Sequence, residues 1–390
     1  MITLDSHFEG GNIEKVRQTG LNRFACQSRK ATSKNALWFY FRIRGAKGRR
    51  ITICLENAHD VWNKESQIDY PKSWPAARPV YFHDNQTFCR VKRGTYDQSK
   101  GTFTFAVPCT ENEVFVAFSY PYVYSDLQAF LKKIRGNPNV RIQTLAKSRQ
   151  GLDVPLITIQ GKPRRPKRDV VWIFARQHAG ETPGSFAVEG LCDYVLSNSR
   201  GAEFLQKNAI LKIIPMFDVD NVAAGNYGKD SLPVDFNRDW KKNSIRPEIR
   251  AARRLIQKSA QEGRIALFLD LHAPGLAQGN DFNDCSLCEP TDPNYPEKRS
   301  LFMKDLEAFA PRQNPYHYTT QFSSGGRIEG MAHRYFHQKY GCLALTLELS
   351  YHRAIRNRNL YVTAHSIRAY GQAIGKTIFR HLASLSQKQF

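Results

Sequence analysis

The chain has 390 residues, of which 41% are hydrophobic, 12% aromatic and 24% charged, so a largely disordered protein is excluded. Lys and Arg outnumber Asp and Glu by 57 to 35, a net charge of +22 that attracts polyanions such as acidic peptides or nucleic acid. The excess is spread evenly and no nucleic-acid-binding module is recognisable, so we do not expect nucleic acid as a partner.

No apolar stretch approaches the roughly 20 residues of a membrane-spanning helix, so we expect no membrane partner. The first residues lack the basic and apolar regions of a secretory signal, and eight cysteines lie scattered in apolar or mixed surroundings. Both features predict a cytoplasmic protein with reduced thiols. Cys285 and Cys288 form a lone CxxC pair, for which a structural role is favoured over a metal or redox site.

Residues 1–125 alternate short β-type runs with turn signals, and no helical periodicity interrupts them. This spacing predicts an all-β antiparallel sandwich domain with a structural or docking role. The predicted strands are 36–43, 50–56, 102–107 and 113–119.

Residues 126–390 show a different pattern, in which apolar strands are separated by amphipathic helices. The pattern predicts an α/β catalytic domain with a mixed, mostly parallel sheet flanked by helices. The predicted strands are 156–160, 170–176, 210–216, 265–271 and 343–349, and the predicted helices are 183–196, 246–260, 300–309, 328–338 and 363–385.

Polar side chains of metal-site type follow or end three of these strands. His178 and Glu181 lie just after one strand, His272 follows another, and Glu348 ends a third. Ligand sites in open α/β sheets gather at the carboxyl ends of strands, and two histidines with one glutamate form an established catalytic zinc set. Alone, the His178–Glu181 pair could equally be a surface histidine beside a helix-capping carboxylate. A carboxylate such as Glu348 is costly on an apolar strand unless it is functional or paired with an arginine.

The segment 218–240 is rich in Gly, Asn and Asp, which predicts a loop shaped by turn chemistry. Within it, Arg238 stands beside Asn237 and offers a fork of donors suited to a carboxylate.

Together these motifs resemble the M14 family of zinc carboxypeptidases, most closely the cytosolic carboxypeptidase branch, in which a β-sandwich precedes the catalytic domain. The resemblance covers nearly the whole chain. It rests on segments 11–14, 38–41, 78–81 and 118–122, and on the motifs containing His178 and Glu181, Asn237 and Arg238, Asp270 and His272, and Thr346 and Glu348.

The resemblance implies that His178, Glu181 and His272 hold one Zn2+ per chain and that Glu348 is the general base. Zinc in such a site polarises the scissile carbonyl and lowers the pKa of a bound water. Glu348 would take the water proton and pass it to the departing amine.

The resemblance also implies a substrate site. Asn237 and Arg238 would bind the free C-terminal carboxylate, which makes the protein an exopeptidase. Asp235 matches the family position that orients the first zinc histidine. Arg327 directly follows the glycine-containing stretch 323–326 and is a candidate for binding an acidic substrate side chain, with a surface arginine as the alternative.

One position departs from the family pattern. Relatives usually carry an oxyanion-stabilising arginine directly after the segment that matches 225–227, whereas this chain has Gly228. Loss of one oxyanion donor costs roughly 10²- to 10³-fold in other hydrolases. Lys229 either substitutes as a point charge, making it a possible oxyanion residue, or is a solvated loop lysine.

The sequence therefore predicts a zinc metallocarboxypeptidase that acts on peptide or protein C-termini, and the basic surface favours acidic, glutamate-ending substrates. Two alternatives stay open. One is a related zinc amidohydrolase, against which the N-terminal sandwich argues. The other is a catalytically weak protein that binds acidic C-terminal tails, which Gly228 motivates.

Overall fold

A computed structural model describes most of the chain, with only the backbone for 281–284 and 387. The described residues are 1–33, 35–59, 74–84, 87–163, 167–273, 281–284, 293–316, 329–354 and 360–387. Arg327 and the pair Cys285 and Cys288 lie outside them. Within these ranges no helix has the length and apolar character to cross a membrane.

Ten described strands before residue 120 form two five-stranded sheets, in the orders β1-β4-β10-β6-β7 and β2-β3-β5-β9-β8. We call residues 1–120 the N-terminal β region. Its strands are β1 (Thr3–Asp5), β2 (Glu14–Gly20), β3 (Arg23–Gln27), β4 (Tyr40–Arg44), β5 (Arg49–Leu55), β6 (Val80–Phe82), β7 (Cys89–Arg90), β8 (Gly94–Asp97), β9 (Thr102–Cys109) and β10 (Glu113–Ala117).

Alternating burial explains why these strands form a two-layer structure. Residues of β9 are in turn half-buried and buried along its whole length, so one face of its sheet meets the core. Phe39, just before β4 of the first sheet, stacks on Phe105 of β9 with ring centroids 5.9 Å apart. The prediction of an antiparallel β region is confirmed with one difference, the parallel pair β3 and β5. Between β3 and β5 the chain crosses to the first sheet, where it forms β4. It then returns to the second sheet, and β5 runs in the same direction as β3.

The rest of the described chain is a seven-stranded sheet covered by helices, in the strand order β11-β12-β14-β13-β15-β17-β16. Its elements are α1 (Tyr124–Ile134), β11 (Val140–Lys147), β12 (Asp153–Ile159), β13 (Asp169–Ala175), α2 (Pro183–Val195), α3 (Arg200–Asn208), β14 (Ala209–Ile214), α4 (Val219–Ala224), α5 (Pro247–Glu262), β15 (Ile265–His272), β16 (Asp281–Asp284), α6 (Tyr295–Phe309), α7 (Ala332–Tyr340), β17 (Leu343–Glu348) and α8 (Ala364–Gln387). The central strands β14, β13, β15 and β17 are parallel, which confirms the predicted mixed α/β fold.

Helices on both faces explain the continuous apolar runs of the central strands. On one face, Phe268 of β15 stacks on Phe336 of α7 with centroids 3.9 Å apart. On the other face, Gly184 of α2 lies against the side chains of Ala175 and Leu271. Each strand predicted from sequence in this half therefore overlaps an observed strand that is buried on both sides.

The parallel register brings three strand ends to one edge of the sheet. Ala175, the last residue of β13, is paired with Leu271 of β15, and His272 of β15 is paired with Glu348 of β17. Polar residues at these ends must therefore lie close together, as the sequence pattern predicts.

The N-terminal β region is fastened to the segment that follows β17 by Arg90 of β7. Its guanidinium donates to the carbonyl oxygens of Val362 at 2.7 Å and Tyr351 at 3.3 Å, and its NH1 lies 3.2 Å from Nδ1 of His352. The carbonyls would lose these partners if the side chain were removed.

We expect Arg90→Ala to lower the free energy of unfolding by about 2–4 kcal/mol, since each unsatisfied partly buried group costs about 1–3 kcal/mol. Arg93→Ala is the matched control, because Arg93 is exposed and lies three residues further on. Urea unfolding of both variants measures the difference, and equal stabilities would contradict the fastening role of Arg90.

Candidate metal centre

The loop after β13 is shaped by a buried arginine. Arg176 has a left-handed φ of 58°, which is uncommon for a residue with a side chain. Its guanidinium donates to the carbonyl oxygens of Ala179 and Tyr122 and to Oγ of Ser185. Burial lowers the pKa of Arg176 to about 10, so it stays charged at neutral pH. These bonds hold the tight turn that carries the next functional side chains.

His178, Glu181 and His272 converge at the carboxyl edge of the sheet, and each is at most 3% exposed. Glu181 lies between the imidazoles, with Oε1 2.8 Å from Nδ1 of His178 and Oε2 2.8 Å from Nδ1 of His272. The two Nδ1 atoms are 3.2 Å apart. Among the described residues this is the one group of three or more His, Cys, Asp and Glu side chains with spacing suited to a metal ion.

A carboxylate lies beside the Nε2 atom of each imidazole ring. Asp235 lies 3.1 Å from Nε2 of His178, and Asp270 lies 3.1 Å from Nε2 of His272. A proton on each Nε2, donated to its carboxylate, leaves a lone pair on each Nδ1. Two lone pairs and a carboxylate that face one another at this distance repel unless a cation lies among them. The donor set therefore fits a divalent metal ion, in the arrangement that orients metal-binding histidines.

The role of Asp270 is not among those predicted from the sequence. The signal was present, because Asp270 and His272 are two residues apart on β15 and so share one face of the strand. Gln177 donates to the carboxylate of Asp270 at 2.6 Å and accepts from Nε1 of Trp240 at 2.7 Å. These hydrogen bonds hold Asp270 next to His272.

The pKa values of the group reflect its density of negative charge. Burial alone would lower the pKa of His272, but Asp270 and Glu181 outweigh it and the pKa lies well above its usual value. Burial alone would raise the pKa of Glu181, but the two histidines hold it well below its usual range. For Asp235, the effect of His178 likewise outweighs burial and lowers the pKa. The negative surroundings that retain protons on the rings attract a cation by the same physics.

Glu348 and Lys229 face this group from two other segments. Glu348 is half-buried and pairs with His272 across the parallel strands. Burial raises the pKa of Glu348, and His272 opposes this rise. Nζ of Lys229 lies 3.8 Å from Oε1 of Glu181, with a side chain only 14% exposed. The structure thus brings Glu348 and Lys229 to the same place as the three residues proposed as ligands.

The short helical turn at 236–238 presents the remaining candidate residues. Asp235 accepts from the backbone N–H of Asn237 at 2.7 Å, which shapes the turn. The side-chain amide of Asn237 lies 3.1 Å from Nε2 of His272, and its oxygen accepts from the backbone of Ala332 at 2.9 Å. Arg238 is less enclosed and donates to the Asn237 carbonyl at 2.9 Å.

Fold and site together define an α/β domain with a candidate metal centre, and the sequence relationships identify its family. Residues 127–373 match the family profile described as zinc carboxypeptidase. Residues 4–120 match the profile described as cytosolic carboxypeptidase N-terminal domain. The chain belongs to the zinc carboxypeptidase family. The two matches leave 121–126 between them, the segment in which the sequence predicts a domain boundary.

Mouse cytosolic carboxypeptidase 2 is 30% identical over 298 residues, covering 70% of this chain and 34% of the relative. Human cytosolic carboxypeptidase 1 is 29% identical over 326 residues, covering 74% of this chain and 27% of the relative. The chain thus spans about a third or less of the length of these relatives.

Solved structures share the fold along nearly the entire chain. The metallo-carboxypeptidase from Burkholderia cenocepacia superposes with a TM-score of 0.87 at 23% identity, covering 99% of this chain and 100% of its own. A second structure is the metallo-carboxypeptidase from Pseudomonas aeruginosa in complex with (2-guanidinoethylmercapto)succinic acid. It superposes with a TM-score of 0.83 at 23% identity, covering 98% of this chain and 100% of its own.

We expect Asp270→Asn to weaken divalent-metal binding by roughly 10- to 100-fold, because the amide no longer accepts the Nε2 proton of His272 as a carboxylate does. Asp169→Asn is the control, since Asp169 lies at the opposite end of β13 and pairs with Arg264. Competition with a chelator of known affinity measures the change. Equal metal affinity in the two variants would show that Asp270 does not support the centre.

Proposed function

We propose that the chain is a zinc-dependent metallocarboxypeptidase that removes C-terminal residues from peptides or proteins. The observation that carries this proposal is the convergence of His178, Glu181 and His272 with Glu348 at one edge of the sheet. Membership in the zinc carboxypeptidase family supports it. The same family membership supports a division into a β domain of residues 1–125 and a catalytic domain of residues 126–390. The names of the relatives support a cytoplasmic location.

His178, Glu181 and His272 would hold the ion. Zinc bound there polarises a carbonyl and lowers the pKa of water toward neutrality. Glu348 lies beside the ligands and would accept the proton of the attacking water and return it to the leaving amine. A carboxylate whose pKa is raised by burial is suited to this exchange, because its proton affinity lies nearer the working pH.

Arg238 would bind the free carboxylate of the substrate, since its guanidinium is anchored at the Asn237 carbonyl and is directed by that bond. The Asn237 side chain already contacts His272 and the backbone of Ala332, so we assign it mainly to holding the turn, with its amide close to the same carboxylate. Recognition of a free carboxylate would restrict cleavage to the last peptide bond.

Lys229 would supply positive charge to the oxygen of the reacting carbonyl. It approaches the Glu181 carboxylate and lowers the pKa of Glu348, so its ammonium lies within the electrostatic reach of the reacting groups. Such a charge is worth most where burial excludes water, and the Lys229 side chain is largely enclosed.

An acidic preference at the last residue is the finer part of the proposal. The net charge of +22 supports it, because a positive field raises the local concentration of acidic chain ends. Arg327 stays the predicted partner of an acidic side chain, on its sequence position alone.

We expect Glu348→Gln to lower kcat by roughly 10²- to 10⁴-fold, because the amide cannot accept the water proton. Substrate binding and metal content should stay close to the unaltered protein, since Gln has the same shape. Steady-state kinetics with parallel metal analysis checks this. Retained turnover in Glu348→Gln, with metal bound, would assign the base to another residue.

We expect the zinc-loaded protein to release glutamate faster than leucine or lysine from peptides that differ only in the last residue. The same peptides with a C-terminal amide should resist cleavage, because Arg238 would lose its carboxylate partner. Mass spectrometry of the products measures both outcomes. Faster release of leucine would reject the acidic preference, and stoichiometric zinc with no release from any peptide would favour a protein that only binds acidic tails.

A further inference from the structure

The loop that carries Lys229 has an unusual backbone. Gly228 and Asp230 on either side of Lys229 both have left-handed φ values, 82° and 53°. A Cβ at position 228 would lie 2.7 Å from the Ala179 nitrogen and 2.9 Å from Oδ2 of Asp218, so only glycine fits there. A left-handed φ is uncommon for a residue with a side chain, even for aspartate, so surrounding structure must hold Asp230 in place.

The support comes from the N-terminal β region. Oγ of Ser33 donates to the Lys229 carbonyl, and the side-chain amide of Asn35 donates to Oδ2 of Asp230 at 2.9 Å. The backbone N–H of Leu232 adds a bond to the Thr32 carbonyl at 3.3 Å. We call residues 32, 33 and 35 the loop clamp.

Ser33 and Asn35 of the loop clamp are buried and hydrogen-bonded to each other. Asn35 is completely buried and Ser33 is 7% exposed, and the Asn35 backbone N–H donates to the Ser33 hydroxyl at 3.1 Å. The side-chain oxygen of Asn35, Oδ1, has no hydrogen-bond partner within the described part of the chain. The bond to Asp230 is therefore the one hydrogen bond of the Asn35 side chain within the described residues.

The loop that carries Lys229 also contacts the metal centre at two points. The backbone N–H of Asp230 donates to Oδ2 of Asp235 at 2.7 Å, and Asp235 is the carboxylate behind His178. Lys229 itself extends to Glu181. A continuous set of contacts therefore runs from Asn35 to a proposed ligand.

We propose that Ser33 and Asn35 of the N-terminal β region are positioning residues for the catalytic centre, because they hold the loop that presents Lys229 and buttresses Asp235. Neither touches the reacting atoms, so they act through the loop. This inference rests on the proposed function and adds to it a reason why the β region must be present for full activity.

The experiment compares full-length, zinc-loaded variants. Asn35→Ala should lower kcat by roughly 10- to 100-fold, the cost of a displacement of about 1 Å in a catalytic group, and should release metal to a chelator faster through Asp235. Asn35→Asp should be worse than Asn35→Ala, because it places a second carboxylate against Asp230. Asn57→Ala is the control, since Asn57 is a buried amide of the same region that bonds only to Ser28 in the described residues.

Pairing with Lys229→Met separates positioning from general destabilisation. Ser33→Ala should lower kcat in the unaltered protein and have a clearly smaller effect in the Lys229→Met background, where only the support of Asp235 is left to lose. Thermal unfolding of each variant monitors the fold. Full activity and unchanged metal release in Asn35→Ala, additive effects of Ser33→Ala and Lys229→Met, or an equal loss in Asn57→Ala would each overturn the proposal. An inactive but zinc-loaded unaltered protein would instead reject the proposed function, and metal release by Asn35→Ala would still test the clamp.

Discussion

The structure depends on the meeting of two imidazole rings through Nδ1, with a shared carboxylate between them. His178 and His272 are far apart in the chain, and both lie at the carboxyl edge of a parallel sheet because their strands are neighbours in register. Burial of this polar group would be costly unless each atom had a partner. Asp235 and Asp270 satisfy the outer nitrogens, which leaves only the inner face for a cation.

Much of this arrangement can be predicted from sequence, because it depends on local patterns. Continuous apolar runs such as β13 identify buried parallel strands, and polar residues directly after them identify the active edge. The role of Asp270 as the partner of His272 is not evident from the motif alone, because its carboxylate lies within an apolar strand. The helix α4 lies in the segment predicted as a loop, because Asp218, Asp220 and Asn221 at its start favour turn chemistry and six residues are too few to show a helical periodicity.

The contribution of the N-terminal β region could not be predicted in this way. Ser33 and Asn35 lie in a polar, irregular stretch without periodicity, and nothing in the local sequence relates them to a loop almost 200 residues away. Such contacts depend on how the N-terminal β region packs against the rest of the chain, which local sequence patterns do not encode. Arg90 illustrates the same point, because it lies in the N-terminal β region and donates to the Tyr351 and Val362 carbonyls more than 250 residues further along the chain.

The departure at Gly228 has a steric explanation that joins these observations. The backbone of this loop passes so close to Ala179 and Asp218 that no side chain fits at position 228, and an arginine there would require a different loop path. The loop instead turns through two left-handed residues and directs the next side chain, Lys229, toward Glu181. A lysine delivers a point charge without the rigid fork of arginine, so its position must be set by the backbone that carries it. That requirement accounts for the loop clamp, in which Ser33 donates to the carbonyl of Lys229 and Asn35 donates to the side chain of the next residue, Asp230.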